Sequence, residues 1–214
     1  MNRREELAAN LASVQERIAR ANVTLIVVTK TYPVSDVEAL KELGVENFGE
    51  NRSEEGEVKA AAVPATWHFQ GGIQSRKIKD IVQWADVIHS LDSGEHALKI
   101  GQRAVRPIDI FLQLSLDGDP ERGGVVESEL AALAEVVVAT PNLALTGLMC
   151  VPPVSAIAAD AFSQIYSAHQ RFLSDFPNAQ SLSTGMSGDF EVAIDHGATH
   201  IRVGSSILGS RTYR

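Results

Sequence analysis

A repeating unit runs through most of this sequence: a short β-rich segment, a turn and a helical pattern. The first five candidate strands begin at Thr24, Val45, Thr66, Val87 and Ile108, so one unit follows another about every 21 residues. That spacing holds one strand, one helix and two short connections. Because strands that alternate with helices pair in parallel, the repeat restricts the chain to α/β folds.

Eight segments in all have the composition and bounding turn residues of strands. They are Thr24–Thr29, Val45–Gly49, Thr66–Gly71, Val87–Leu91, Ile108–Ser115, Leu143–Met149, Ser181–Thr184 and His200–Gly204. Eight such units close naturally into a barrel, so we predict an α/β fold, a (β/α)8 TIM barrel, with residues 1–214 as a single domain. An open doubly wound sheet is the alternative for the same pattern.

The predicted helices carry start and stop signals. Ser35 and Glu38 match the S-x-x-E capping box, and Gly44 stands where that helix should stop. Ser128 is the expected start of a later helix. The other helices expected from apolar periodicity are Arg3–Ala21, Glu129–Ala139, Ala158–Phe176 and Gly188–His196. The first of these is an extra N-terminal helix before the barrel.

Composition restricts the partners and the cellular compartment that can be expected for this chain. The formal net charge of −8 argues against a nucleic-acid backbone or an anionic membrane as partner. Cys150 is the single cysteine, so no internal disulfide forms, which suits a reducing cytoplasm. The N-terminus has no apolar region of a signal peptide, and apolar runs such as Val136–Ala139 are too short to span a bilayer. We expect a soluble cytoplasmic protein.

Lys30 is unusual because it ends the apolar first strand. A solvated strand-end charge is the simpler interpretation. In a barrel, however, the carboxyl ends of all strands meet at one mouth, where binding side chains collect. Partial burial there disfavours a charged ammonium, and the neutral amine is the form that attacks an aldehyde. Lys30 is therefore a candidate for a Schiff-base lysine.

The loops after the last two strands have the composition of a phosphate site. One carries Ser187 between glycines, and the other carries Gly204 and Ser205. Barrels often hold phosphate between loops seven and eight, although two ordinary Gly/Ser turns are the alternative. Lys30 lies beside strand eight once the barrel closes. A ligand with both an aldehyde and a phosphate, pyridoxal 5′-phosphate (PLP), satisfies both features.

Four more residues are cofactor-binding candidates. Asn51 follows strand two, with an N-cap as its alternative role. His68 lies in strand three and has a satisfied core histidine as its alternative. Ser183 lies in strand seven, and Arg202 in strand eight is expected to reach the cofactor ring.

Six short motifs occur in order along the chain. They are Val28-Thr29-Lys30-Thr31, Phe48-Gly49-Glu50-Asn51, Trp67-His68-Phe69 with Gln74-Ser75-Arg76-Lys77, Gly147-Leu148-Met149, Leu182-Ser183-Thr184-Gly185-Met186-Ser187, and Ile201-Arg202-Val203-Gly204-Ser205. Together they resemble the pyridoxal phosphate homeostasis protein family, which is related in fold to the N-terminal barrel of alanine racemase. The resemblance covers essentially the whole chain.

The resemblance implies roles for matching residues. Lys30 matches the cofactor lysine, and Arg202 matches an arginine that faces the pyridine nitrogen. The phosphate-binding positions are matched by Ser187, Gly204 and Ser205, and Asn51 matches a position near the ring.

Three segments depart from the family pattern. Gln70-Gly71-Gly72 stands where relatives usually have an apolar residue and a Gly-Pro pair, and Ser205 replaces a common threonine. The segment Gly118–Gly124 lacks a lysine often found there. Because serine keeps the hydroxyl of threonine, these departures leave the lysine and phosphate site intact.

The resemblance implies a role in PLP (vitamin B6) homeostasis and amino-acid balance, so we predict a non-enzymatic cofactor carrier. An arginine against the ring nitrogen weakens the cofactor as an electron sink. The chain also stops at Arg214, before any domain with a racemase's second base. A PLP-dependent amino-acid racemase or lyase is the alternative. We expect a monomer, PLP-dependent apo-enzymes as partners, and no metal, because His196 and His200 straddle a turn.

Overall fold

The computed structural model describes residues 2–18 and 21–209. Eight parallel strands close into a barrel in chain order, as the sequence predicts. They are β1 (Thr24–Val28), β2 (Asn47–Glu50), β3 (Thr66–Phe69), β4 (Val87–Leu91), β5 (Ile108–Leu114), β6 (Leu143–Cys150), β7 (Ser181–Met186) and β8 (His200–Val203). Closure joins β1 to β8, with Val27 opposite Val203.

Helices cover the outside of the barrel. They are α1 (Arg3–Ile18), α2 (Val34–Glu42), α3 (Ser53–Ala62), α4 (Ile78–Trp84), α5 (Gly94–Arg103), α6 (Leu130–Ala139), α7 (Ala158–Asp175), α8 (Phe190–Asp195) and α9 (Ser205–Leu208). None of the helices in the described ranges combines the length and apolarity that a membrane span requires.

Three helix starts differ from the predictions. The capping box at Ser35 is wrong: α2 begins at Val34, after an extended Pro33, and no side chain caps it. The start at Ser128 is also wrong, because a 3-10 turn over Glu127–Glu129 precedes α6. The segment before α8 is a turn, since Asp189 Oδ1 accepts a hydrogen bond from the Met186 N–H at 2.6 Å.

Helix ends agree better with the sequence. Gly44 follows α2 with a φ of +92°, a left-handed conformation that glycine adopts without strain. Gly197 follows α8 in the same way, with a φ of +85°. The N-terminal helix is confirmed but ends at Ile18; residues 19 and 20 of its predicted range lie outside the described residues, and Ala21 is in a bend.

The helix α1 packs on the barrel and supports α9. Its buried face consists of Leu7, Leu11 and Val14. On the neighbouring face, the Asn10 side-chain amide donates to the carbonyl oxygen of Ile207 in α9 at 3.0 Å. The extra N-terminal helix therefore holds in place the short helix that follows β8, at the same end of the barrel as Lys30.

Candidate functional site

A cavity of about 570 Å³ opens at the carboxyl end of the barrel. This volume lies in the range of small-molecule and cofactor sites. It is lined by Val28, Lys30, Tyr32, Asn51, Gln70, Met149, Val151, Met186, Ser187, Gly188, Arg202, Gly204, Ser205 and Gly209. Six of the eight residues predicted to bind the cofactor are therefore brought together: Lys30, Asn51, Ser187, Arg202, Gly204 and Ser205.

The charges of the cavity lining contrast with those of the whole chain. The protein carries a net charge of −8, yet the described lining residues include Lys30 and Arg202 and no carboxylate. Two cations without an acidic side chain in the wall make the cavity suited to an anionic ligand.

Lys30 lies two residues beyond the end of β1, at the mouth of the barrel. The β1–β8 pairing sets Ile26 beside Arg202, two residues before the end of β1. Gly204 keeps this corner open, because a Cβ there would lie 3.2 Å from the carbonyl oxygen of Val28. The expected adjacency of the lysine and the last strand is present.

The loops after β7 and β8 direct two backbone N–H groups at one point. Gly204 N–H donates to Ser187 Oγ at 3.2 Å, and Ser206 N–H donates to the same oxygen at 3.3 Å. An oxygen that accepts two backbone N–H groups at the start of a helix is a fit position for a phosphate oxygen. The sequence predicts the N–H of Ser205 at this position, whereas the structure places that of Ser206 there.

Arg202 is a buried cation that makes no ion pair among the described residues. Its side chain donates to the carbonyl oxygen and the Oγ of Ser183, both at 2.8 Å, and to the carbonyl oxygen of Cys150 at 3.2 Å. Burial lowers the pKa of Arg202 to about 10, so the guanidinium stays protonated at neutral pH. It can donate hydrogen bonds to a ligand but cannot accept one.

A hydrogen-bonded chain crosses the barrel interior from Arg202. Ser183 Oγ lies 2.9 Å from His89 Nδ1, His89 Nε2 lies 2.8 Å from His68 Nδ1, and His68 Nε2 lies 3.0 Å from Asn47 Oδ1. His68, His89 and Ser183 are at most 2% exposed. The three side chains lie beneath the cavity, inside the barrel.

The acceptor at the far end of this hydrogen-bonded series, Asn47 Oδ1, determines which nitrogen of each histidine carries a hydrogen. Asn47 Oδ1 accepts, so His68 Nε2 carries the hydrogen and His68 Nδ1 accepts from His89. His89 Nδ1 then accepts from the hydroxyl of Ser183, which in turn accepts from Arg202. Both imidazoles are neutral in this assignment. Arg202 is therefore fixed by neutral partners and keeps its full positive charge for the cavity.

Burial accounts for the neutrality of these histidines. It lowers the pKa of His68 to about 3 and that of His200 to about 4. The pKa of His89 also lies well below its usual value, first because of burial and then because His68, Arg202 and His200 are near. Desolvation disfavours the imidazolium in each case.

His68 and Ser183 do not line the cavity, although the sequence places them among the cofactor-binding candidates. His68 takes the alternative role of a satisfied core histidine, since both of its ring nitrogens have partners. Ser183 supports Arg202 from inside the barrel. Because neither side chain lines the cavity, this placement does not support the predicted direct contact of either residue with a cofactor.

Several cavity residues were missed by sequence reasoning. Tyr32 lines the wall and donates its hydroxyl to the carbonyl oxygen of Gly209 at 2.7 Å. Gln70 lines the wall too, and its Nε2 atom is buried without a hydrogen-bond partner among the described residues. Both follow the carboxyl ends of strands, so the barrel rule could have found them. His89, in the middle of β4, has no comparable sequence signal.

Cys150 is buried beside Arg202, as a small core residue. Burial raises the pKa of its thiol to about 12, so it is not a nucleophile at neutral pH. Within the described ranges, no group of three or more histidine, cysteine, aspartate or glutamate side chains could hold a metal ion.

Comparison with known proteins agrees with this geometry. The family model described as alanine racemase, N-terminal domain, matches residues 3–212. A pyridoxal phosphate homeostasis protein of Corynebacterium glutamicum is 41% identical over 201 residues, which cover 89% of this chain and 91% of that protein. The chain belongs to the pyridoxal phosphate homeostasis protein family.

One further relative and one solved structure extend the comparison. The Mycobacterium leprae protein of the same name is 35% identical over 246 residues, covering 100% of this chain and 96% of that protein. The structure of PipY from Synechococcus elongatus with PLP bound has a TM-score of 0.87 at 31% identity and covers 95% of this chain and 100% of that chain. The family barrel is thus shared over almost its full length.

Proposed function

We propose that this chain binds PLP in the cavity as a Schiff base on Lys30 and acts as a cytoplasmic carrier in PLP homeostasis and amino-acid balance. The observation that carries the proposal is one cavity that combines an amine, a cation without a carboxylate partner, and two N–H groups directed at one oxygen. The relatives are named for PLP homeostasis, and the PipY structure contains PLP.

The residues fit the three polar parts of PLP. Lys30 would meet the aldehyde, and Ser187, Gly204 and Ser205 would hold the phosphate, with a phosphate oxygen taking over the two N–H groups that now donate to Ser187 Oγ. Arg202 would donate to the ring nitrogen, as the resemblance implies. The apolar side chains of Met149 and Val151 would pack on the ring.

The same residues favour a carrier over an amino-acid enzyme. Bound PLP supplies an electron-withdrawing ring, which withdraws most strongly when its nitrogen is protonated. The Arg202 guanidinium, protonated at neutral pH, would donate to that nitrogen and leave it without a proton. Among the described lining residues the ionisable side chains are Lys30, Tyr32 and Arg202, and the Tyr32 hydroxyl is engaged with Gly209. A second general base near Lys30 is therefore lacking in this part of the chain.

Borohydride reduction tests the covalent site. The protein incubated with PLP and then reduced should carry the label on the peptide that contains Lys30, and Lys30→Ala should abolish it. Lys99→Arg is the matched control, since Lys99 lies in α5 and does not line the cavity. Label on Lys77, or persistent label in Lys30→Ala, would show that the site is wrong.

A paired assay separates carrier from enzyme. One preparation should transfer PLP to an apo-enzyme that depends on it while it shows no appreciable racemase or decarboxylase turnover of free amino acids. Rapid turnover that disappears in Lys30→Ala, with negligible transfer, would establish the racemase or lyase alternative instead.

A further inference from the structure

A buried polar network lies behind Lys30, on the side of β1 and β2 that faces α3. The Lys59 ammonium donates to the carbonyl oxygen of Thr29 at 2.7 Å and to Glu50 Oε1 at 2.5 Å. The side chains of Lys59 and Glu50 are only 4% and 0% exposed. Neither side chain lines the cavity, so this ion pair is not part of the ligand site.

The network fixes every polar group of Thr29, the residue before Lys30. The Thr29 hydroxyl donates to Glu50 Oε1 at 2.7 Å, and its backbone N–H donates to the carbonyl oxygen of Gly49 at 2.9 Å. With the Lys59 bond to its carbonyl oxygen, Thr29 is tied to β2 and α3 at three points.

The residue after Lys30 is tied to the same helix. Thr31 N–H donates to Glu55 Oε2 at 2.5 Å, and that oxygen lies 3.6 Å from Lys59 Nζ. Thr31 has a φ of +69°, which is unfavourable for a β-branched residue. Such a conformation persists only where the surroundings hold it. Both chain neighbours of Lys30 are thus held by polar groups of β2 and α3.

Stability alone does not explain a buried ion pair at this place. Desolvation of two charges offsets most of their attraction, and apolar pairs of similar volume often stabilise equally well. Burial also raises the pKa of Glu50 despite its bonds to Lys59 and Thr29. In addition, Glu50 Oε2 has no hydrogen-bond partner among the described residues. Unlike apolar packing, the ion pair and its hydrogen bonds fix the orientation of the backbone at Thr29.

We propose that Glu50, Glu55 and Lys59 form a clamp that aims Lys30 into the cavity and so sets how fast its amine reacts with an aldehyde ligand. This rests on the proposed PLP site, and it assigns the three residues positioning roles. In the reaction, the neutral amine adds to the aldehyde carbon. A C=N bond forms as the aldehyde oxygen leaves as water with the two amine protons.

The decisive variant replaces the pair by apolar side chains, Glu50→Leu with Lys59→Met. It leaves no unpaired buried charge, so the barrel should fold. Arg17→Met with Glu191→Leu is the matched control, because that ion pair, at 2.6 Å, joins α1 to α8 outside the cavity lining. Circular dichroism and thermal unfolding establish that both variants are folded.

Two ligands then separate aiming from general damage. With PLP, stopped-flow absorbance should show the Schiff base forming about 10- to 100-fold more slowly in the clamp variant than in the parent or the control. Pyridoxine 5′-phosphate has no aldehyde, and its Kd should be the same in all three proteins.

The other outcomes have distinct meanings. Parental rates in a folded clamp variant would overturn the clamp, and so would an equal loss of affinity for both ligands, since that indicates damage to the whole site. If the parent itself formed no Schiff base on Lys30, the proposed function would fail, and the clamp would fail with it.

Discussion

Acidification should destabilise this protein through its buried neutral histidines. The clearest perturbation is His200→Phe, measured against the parent from pH 7.5 to pH 5. His200 packs edge-on against Phe111 with ring centroids 5.2 Å apart, a contact that phenylalanine can keep. Its hydrogen bond is to Thr199 Oγ1, which retains a bond from the Leu182 N–H at 2.8 Å.

The magnitude follows from the pKa of His200 in its two states. Folding lowers that pKa from 6.5 to about 4, so between these pH values the unfolded chain binds the proton and the folded chain does not. The stability associated with neutral His200 is therefore full above pH 6.5 and falls as the pH drops towards 4. At about 1.4 kcal/mol per pH unit, the loss at pH 5 is about 2 kcal/mol.

His68 adds a similar loss, because its pKa falls further, to about 3. Two such groups remove about 4 kcal/mol at pH 5, a large part of the roughly 5–15 kcal/mol that stabilises an ordinary domain. Acid should therefore weaken the parent protein strongly before the carboxylates are protonated.

Urea unfolding followed by far-UV circular dichroism at several pH values measures the effect. Between pH 7.5 and 5, His200→Phe should lose about 2 kcal/mol less unfolding free energy than the parent. Phe162→Leu is the control: it removes core volume and no ionisable group, so its deficit should be the same at every pH. Equal losses in the parent and His200→Phe would refute the assignment of His200 as a partly buried, neutral histidine.

Two further predictions concern the phosphate loop and the barrel wall. Ser187→Ala should weaken PLP binding about 10-fold in a fluorescence titration, because a hydrogen bond to the charged phosphate is lost. The affinity for unphosphorylated pyridoxal should stay the same, and an equal effect on both ligands would contradict the phosphate role. Gly147→Ala should prevent folding or lower the Tm sharply, since the new Cβ would lie 1.8 Å from the carbonyl oxygen of Ser181. Gly72→Ala is the control and should leave the Tm unchanged, because a Cβ there would meet no atom within 4 Å. A soluble Gly147→Ala protein with the parental Tm would contradict this prediction.

The sequence pattern alone predicts the barrel and places the ends of its strands to within two residues. Periodic βα units are local features, and the rule that carboxyl ends converge at one mouth then joined Lys30 to Gly204 and Ser205. Helix starts were less determined: the S-x-x-E pattern at Ser35 is wrong because Pro33 already sets the backbone that begins α2. Local signals fix elements when no neighbouring constraint competes with them.

The packing of the elements against one another decides which polar residues line the cavity and which support them from behind. His68 and Ser183 match the family motifs, yet they join His89 beneath the cavity. Glu50 and Lys59 meet because β2 and α3 pack together. Position 147 must be glycine because the backbone of β7 at Ser181 leaves no room for a Cβ. These contacts join residues from different elements of the barrel. Their geometry depends on how whole elements pack, and no sequence pattern encodes it locally.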